Sequence, residues 1–423
     1  DRAVARFSAT PPVPASRLGA ALRFVLVPED VHELHYGTFC NPFLWFHQHG
    51  LWDLLRGRAA LEQELRASWS RGYVRANDLF AEAIAAELEA RPEAPVLIQD
   101  YHLYLAAAGV RSRHETAHLQ HFTHIPWPEP SAWQRLPWDI TKGILTGLLA
   151  NDVVSFQTKR DAFHFLDTCY NFVAGARVDF ERREVEYEGR RVSVRHNPIS
   201  IDVDAVRARA ASLEVQRYRQ RLLRYAGEKI IVRVDRMDPA KDVLGGIEAY
   251  GLLLERHPSL RGRVRHLAFL VPSRSEVPEY RRYAEQTLRA IREVNERFGR
   301  PGWTPIELFY EDNYDQALAG MSLYDVLVVN SVADGMNLVA KEGPVVNQRD
   351  GVLILSTAAG AYEELRDGCL PVPPRDPRAL ADAMWRALNT PLDARRRAIQ
   401  RLRLAITAHD VRRWLDTQLR EAA

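Results

Sequence analysis

Two successive series of short Val- and Ile-rich runs, each interleaved with longer helical patterns, constrain this 423-residue chain more than any other feature. Such alternation is the rhythm of parallel sheets covered by helices. The first series holds ALRFVLV (Ala21 to Val27), APVLIQD (Ala94 to Asp100), AHLQHFTHIP (Ala117 to Pro126), NDVVSFQT (Asn151 to Thr158) and the hairpin-like VDFERREVEYEGRRVSVRHNP. Among them, Tyr73 to Leu88 reads as a helix, apolar at Val74, Leu79, Ile84 and Leu88. The second series begins with KIIVRVD (Lys229 to Asp235) and continues through RHLAFLVP, PIELFYE, YDVLVVNS and GVLILS, with a helix expected over Val243 to His257. Val and Ile crowd both faces of these strands, as buried parallel strands require.

Between the series lies NPISIDVDAVRARAASLE, where Pro198 and the polar run around Asp202 would form a hinge. The expectation is an α/β protein of two doubly wound domains, residues 1–200 and 201–408, facing each other across a cleft, with a final helix within 409–423 (roughly Val411 to Ala423) crossing back to the first. The length agrees, being too great for one core and suited to two of about 150–250 residues. With 46% hydrophobic and 26% charged residues the chain can bury those cores. Lys and Arg number 57 against 55 Asp and Glu, so a net charge of +2 gives no bulk attraction to nucleic acid or an anionic membrane. Any anionic ligand must be held by local charges. The arginines of Asp393 to Leu404 read as a solvated helix face.

Cys40, Cys169 and Cys369 are too far apart for a CxxC site and odd in number, which argues against a disulfide framework or cysteine zinc site. The longest apolar candidate, Gly143 to Phe156, is broken by Asn151 and Asp152 and is shorter than the roughly 18 residues of a membrane span. A soluble, cytoplasmic protein is expected. The chain begins at Asp1 and continues through the Pro- and Ser-rich FSATPPVPASRLG, without a signal-peptide pattern; we take this for a truncated end.

Four segments could carry chemistry. In VRVDRMDPAKD a buried strand ends at Asp235 and delivers Arg236 and Lys241 into the loop before the next helix. Ligands of open α/β sheets bind at the carboxyl ends of the strands, and two cations there with helix N-terminal amides suit a diphosphate. The segment alone leaves open that both are ordinary surface charges. In VNSVADGMNLVAKEG a strand runs into Asp334, Gly335, Met336 and Asn337 at an expected helix start, with Glu342 about two turns into the helix; Asp334 suits sugar hydroxyls and Glu342 a ribose. In IQDYHLYLAAAGVR, Asp100 ends a strand and Tyr101 and His102 open a helix. FTHIPWPEPSAWQRLPW places His124 before a Pro-stiffened loop with Trp127, Trp133 and Trp138. A lone His is more often a structural hydrogen-bonding residue, but indole faces stack on sugars and raise the case for a carbohydrate cleft. No GxxxxGK(S/T), HExxH, GxSxG or post-strand GxGxxG occurs, and Asp202-Val203-Asp204 reads as part of the hinge rather than a metal site.

QDYHLYLA, HFTHIPWPEP, NDVVSFQT, NPISID, VDRMDPAKD, VPSR, WTPIELFYE and DGMNLVAKE, in this order over roughly residues 22 to 410, resemble the trehalose-6-phosphate synthases, retaining glycosyltransferases of the GT-B fold. The resemblance implies transfer of glucose from a nucleoside diphosphate-glucose (UDP-, GDP- or ADP-glucose) to glucose 6-phosphate, without a metal or other cofactor. It implies that Arg236 and Lys241 bind the donor diphosphate. Asp334 and the amides of Gly335, Met336, Asn337 and Leu338 would hold the glucose, Glu342 the ribose, and His124 would stand near the reaction centre. Tyr36, Trp45 and Asp100 match acceptor residues, and Arg274 of VPSR an arginine that grips the acceptor phosphate.

The chain departs from that pattern at several places. Gln99 stands where His is usual, Ala333 where Arg is usual and Asp242 where Gly is common. The family's first strand, its phosphate-binding arginine and its Gly-Gly donor loop are not in the sequence as it begins, and a protein lacking them is expected to be impaired. Glycerol 3-phosphate or a cyclitol phosphate remains an alternative acceptor, as in the family's glucosylglycerol-phosphate synthases and pseudo-glycosyltransferases, and a nucleotide-sugar-binding pseudoenzyme is a further alternative. Oligomeric state, a homo-oligomer included, is left open by the sequence.

Overall fold

The computed structural model describes residues 13–15, 20–55, 60–225 and 229–421. These fall into two compact units, the first running to Gln48 and from Trp52 to His196 with Glu421, the second comprising His49–Leu51 and Asn197–Arg420. The Pro- and Ser-rich start lies outside the described residues except for β1 (Val13–Ala15), which pairs antiparallel with β2 (Ala20–Leu22). The strand expected over Ala21 to Val27 stops at Leu22. Beyond it the chain is irregular, with Phe24 and Leu26 exposed where a buried strand would hide them.

The first unit is built on β3 (Val96–Gln99), β4 (Leu119–Thr123), β5 (Val153–Phe156), β6 (Arg177–Asp179), β7 (Glu184–Tyr187) and β8 (Arg190–His196), in spatial order β3-β4-β5-β8-β7-β6. Pairing is parallel from β3 to β8 and antiparallel in the β6-β7-β8 meander that the hairpin-like segment suggested. Every residue of β4 and β5 is buried, so the carboxyl ends of the central strands hand Asp100, His124 and Gln157 to one edge of the sheet. The helix expected from Tyr73 runs over Val74–Ala90 and buries Ala76, Asn77, Ala81, Ala85 and Leu88. Small residues on that stripe let the helix approach closely, and the larger Leu79 and Ile84 are only half-buried.

The second unit carries β9 (Lys229–Arg236), β10 (Val264–Val271), β11 (Ile306–Tyr310), β12 (Val326–Val329), β13 (Val352–Ser356) and β14 (Leu370–Val372) in order β11-β10-β9-β12-β13-β14. All adjacent pairs are parallel. Successive side chains alternate between two apolar layers. Ile230, Val232, Leu267, Phe269 and Leu353 enter one, and Ile231, Ala268, Leu270, Val326 and Ile354 the other. Strand order reverses between β9 and β12, a topological switch point at which doubly wound sheets open a crevice for nucleotides. β9 pairs with β10 along its whole length but with β12 only at Ile231–Val326 and Val232–Leu327, so the two strands part toward their carboxyl ends.

Asp202 caps the helix Val203–Ala210 by accepting the Ala205 N–H at 2.9 Å, which is a local reason for an Asp-x-Asp there. The arginine-rich helix is Leu392–Ala408, and its solvated-face reading holds for the exposed Arg396, Arg397 and Arg401 but needs correction for Arg395 and Arg403. Arg395 pairs with buried Asp325 at 3.5 Å, and Arg403 donates to the carbonyls of Pro344 and Asn347 at 2.8 and 2.6 Å. The final helix is Val411–Glu421; Ala422 and Ala423 lie outside the described residues. Cys40, Cys169 and Cys369 form no disulfide with one another. Among the described residues, no helix is long and apolar enough to cross a membrane.

Candidate functional site

Both nucleotide-site segments of the sequence flank the switch point of the second unit. β9 ends at Arg236, whose side chain is exposed, and a 3-10 turn, Pro239–Lys241, leads into the helix Val243–Arg256. Across the crevice, the chain leaving β12 carries Asp334. The Lys241 ammonium is ion-paired with the Asp334 carboxylate, which also accepts from Ser331 Oγ at 3.2 Å and Asn337 Nδ2 at 3.0 Å. Burial alone would raise the pKa of Asp334. The opposing pull of Lys241 and Asn337 is greater and holds it below the ordinary carboxylate range.

The helix after DGMN starts later than the sequence suggests, at Val339, and runs to Val346. Gly335, Met336, Asn337 and Leu338 therefore form a loop whose backbone is turned by Asn337 at φ +81°, a left-handed conformation that Asn tolerates. Asn337 Oδ1 then accepts the Ala340 N–H at 3.1 Å. The Met336 side chain is part of the core, whereas Leu338 is exposed. Glu342 consequently lies in the first helical turn rather than two turns in. It is half-buried, accepts the Tyr314 hydroxyl at 2.9 Å, and burial raises its pKa.

Arg274 belongs to the loop after β10 and has a left-handed backbone, φ +45°. Its guanidinium contacts the Tyr280 hydroxyl and lies 3.4 Å from Asp238 Oδ2. The fully buried Asp238 accepts the Ala240 N–H through its other oxygen at 2.9 Å. One carboxylate thus joins the Arg274 loop to the turn that carries Lys241.

In the first unit, Asp100 has φ +69° and ψ 171°, a conformation costly for any residue with a side chain. The turn behind it is over-determined. Tyr73 donates to the Tyr101 carbonyl at 2.6 Å and accepts the Tyr104 N–H, Asn77 bonds the His102 carbonyl and the Leu105 N–H, and Tyr101 donates to Asn41. Tyr101 and His102 form only a 3-10 turn, and a helix begins at Ala106. Asp100 Oδ1 accepts the His124 N–H at 3.1 Å. The His124 ring is bracketed: Nε2 donates to Gln99 Oε1 at 2.9 Å, and Nδ1 accepts from Gln157 Nε2 at 3.2 Å. Burial depresses its pKa to about 4, so the ring is neutral near pH 7.

Tyr36 is exposed and stacked on His102 with centroids 5.7 Å apart, while Trp45 is buried against Tyr101. The carbohydrate role suggested for the tryptophans does not fit two of them. Trp127 and Trp133 are fully buried and stacked on each other at 4.5 Å, and Trp127 Nε1 donates to Thr168; only Trp138 is exposed. Apolar packing around β5 consumes the indole faces. Among the described residues, no group of three or more His, Cys, Asp or Glu is placed to hold a metal.

A family model described as glycosyltransferase family 20 matches residues 15–423. The chain belongs to glycosyltransferase family 20. Its two Rossmann-like units are of the GT-B class seen in solved trehalose-phosphate synthases. A bifunctional trehalose-6-phosphate synthase/phosphatase of Thermoproteus tenax is 36% identical over 402 residues, 94% of this chain and 52% of the relative, so the chain spans about half that protein's length. A UDP-forming alpha,alpha-trehalose-phosphate synthase from Burkholderia xenovorans, solved in complex with glucose-6-phosphate, superposes with TM-score 0.86 at 27% identity, covering 95% of this chain and 87% of that one. An E. coli structure bound with UDP-2-fluoro glucose gives TM-score 0.84 at 28% identity, covering 94% and 85%.

The motifs pointed to residues at the strand ends and not to those that hold them. Gln157 stands inside NDVVSFQT and Asp238 inside VDRMDPAKD, so both were in view. Asn41 closes YGTFCN, the segment that carries Tyr36, whereas Tyr73 and Asn77 carry no motif signal, because their task is set by where the Asp100 turn comes to rest against them.

Proposed function

We propose that this family-20 chain transfers glucose, with retention, from a nucleoside diphosphate-glucose to the anomeric hydroxyl of glucose 6-phosphate, releasing the nucleoside diphosphate and trehalose 6-phosphate. The observation that carries the reading is the pairing of two loops at the β9/β12 switch point, one bearing Arg236 and Lys241, the other Asp334 through Glu342. Relatives bound with UDP-2-fluoro glucose and with glucose-6-phosphate support the choice of substrates. In the reaction the bond from the anomeric carbon to the diphosphate breaks, and a new bond to the acceptor oxygen forms on the same face. The acceptor proton passes to the departing phosphate oxygen. Arg236 and Lys241 stabilise the charge that grows on that phosphate, as preorganised cations do in a water-excluded site, and no metal is required for it. Asp334 and the 335–338 loop hold glucose hydroxyls, Glu342 the ribose, and neutral His124 brings no charge near the reaction centre, where it can bond a substrate only in exchange for Gln99 or Gln157. Tyr36, Trp45, Asp100 and Arg274 serve the acceptor.

Turnover with UDP-, GDP- and ADP-glucose, each against glucose 6-phosphate and glycerol 3-phosphate in EDTA, tests this directly. Nucleoside diphosphate release with glucose 6-phosphate is expected; release with glycerol 3-phosphate alone would replace the acceptor, and a requirement for added metal would remove the cation mechanism. Arg274→Ala should raise the acceptor KM roughly 30- to 150-fold, about 2–3 kcal/mol for a charge-assisted phosphate contact, with the donor KM within about twofold. The cap on Ala240 uses the other oxygen of Asp238, so the donor loop keeps its support. A donor KM raised as much as the acceptor KM would end the acceptor-phosphate role.

A further inference from the structure

We propose that Arg233 is the positioning residue of the diphosphate loop, a guanidinium that meets no substrate and sets where Lys241 stands. This rests on the donor-site reading above. Arg233 lies in β9, three residues before Arg236, and is 0% exposed. Its five N–H groups all have acceptors. Nε donates to Asp235 Oδ2 at 2.8 Å, and Nη2 to the Lys241 carbonyl at 2.8 Å and Asn330 Oδ1 at 2.7 Å. Nη1 reaches the carbonyls of Asp242 and Val243 at 3.4 and 3.3 Å. Three successive carbonyls of the turn from Lys241 into the helix are thereby gathered on one rigid fork. A planar guanidinium can do this and an ammonium with three donors cannot.

Two neighbours complete the arrangement. Asn330, one residue beyond β12, donates through Nδ2 to both the carbonyl and Oδ2 of Asp242 at 3.0 Å, so the far wall of the switch point is tied to the same loop. Asp242 takes φ +49°, which explains how it occupies a position where glycine is common: its carboxylate caps the helix at the Gly245 N–H and is held by Asn330. The space is tight, since a Cβ on Gly246 would stand 2.0 Å from Arg233 Nη1. β9 and β12 have already separated at this level; one backbone bond still crosses, from the Val332 N–H to the Ala240 carbonyl at 2.8 Å, and these side chains anchor the three carbonyls that follow.

The test compares Arg233→Lys, Arg233→Met and Asn330→Ala with wild type, measuring kcat, both KM values and inhibition by UDP. Asn330→Ala leaves the buried guanidinium in place and guards against variants that fail to fold. It is expected to raise the donor KM and the UDP inhibition constant roughly tenfold, with the acceptor KM within about twofold. Arg233→Met should lose more than Arg233→Lys, because lysine keeps the charge and part of the hydrogen bonding. Equal donor KM and UDP inhibition in wild type and folded Asn330→Ala would overturn the proposal while leaving the transferase reading intact. A wild type that neither turns over nor binds UDP would take both down.

Discussion

Replacing Lys241 by alanine is expected to lower kcat/KM by about 10²- to 10³-fold, mostly through kcat, the range of about 2.7–4 kcal/mol for a lost group that stabilises charge developing in the transition state. In the structure the ammonium is paired with Asp334, and that pairing gives a second possible origin for the loss. Asp334 is held ionised largely by Lys241 against the cost of its burial. Without the lysine, its pKa should rise and a misprotonated Asp334 would by itself impair sugar binding. The two origins separate in a double-mutant cycle with Asp334→Asn. A carboxamide needs no counter-cation, so Lys241→Ala made in that background would cost nothing if neutralising Asp334 were the lysine's whole task. Persistence of at least a tenfold loss in kcat is expected, because the leaving diphosphate still lacks its cation. A null effect in the Asp334→Asn background would sink the diphosphate role of Lys241.

The parts of the fold that were legible are those governed by periodicity and burial. β9, β12 and β13 are Val- and Ile-rich runs with both faces covered, the pattern of parallel strands between two helical layers. ALRFVLV has a similar composition but only Ala21 and Leu22 lie within a strand, since composition cannot supply a neighbouring strand to pair with. At the site, Arg236, Lys241, Asp334 and Glu342 were visible because they follow strands whose carboxyl ends must face a ligand crevice. Arg233 was hidden inside such a strand. In sequence it reads as one polar residue interrupting an apolar run, and only the loop folding back over β9 reveals the carbonyls it serves. Trp127 and Trp133 failed in the opposite sense, because an aromatic ring suits a sugar and a core equally and the sheet claimed them for the core.

Acid should unfold the first unit before the second. His47 and His121 are buried with pKa values lowered to about 3, and His124 to about 4, in each case chiefly by burial, helped by Arg135 near His47 and by His124 near His121. For a group whose folded pKa is depressed while its unfolded pKa stays near 6.5, the unfolded chain binds the proton first. The stability is therefore whole above about pH 6.5 and lost as pH falls toward 4, by about 3 kcal/mol for each of His47 and His121 at pH 4. Asp161 opposes them, since burial raises its pKa to about 6 and the folded state takes up that proton first. His35 is lowered by burial too and Glu421 raised by it, and four histidines against two carboxyls leave a net uptake of protons on unfolding near pH 5. In the second unit the corresponding histidine is His266, lowered to about 3, and it is opposed by Asp235, Asp242 and Glu342, all raised by burial. There the raised carboxyls work against the histidine, so the second unit is expected to lose less stability over this range. Trp45, Trp52, Trp69, Trp127, Trp133 and Trp138 belong to the first unit, so urea melts followed by tryptophan fluorescence report mainly on it. Their midpoint should fall steeply between pH 7 and 5, and replacing His121 by Gln should flatten the dependence by about one proton. A midpoint unchanged over that range would mean that these histidines are not held neutral in the folded protein.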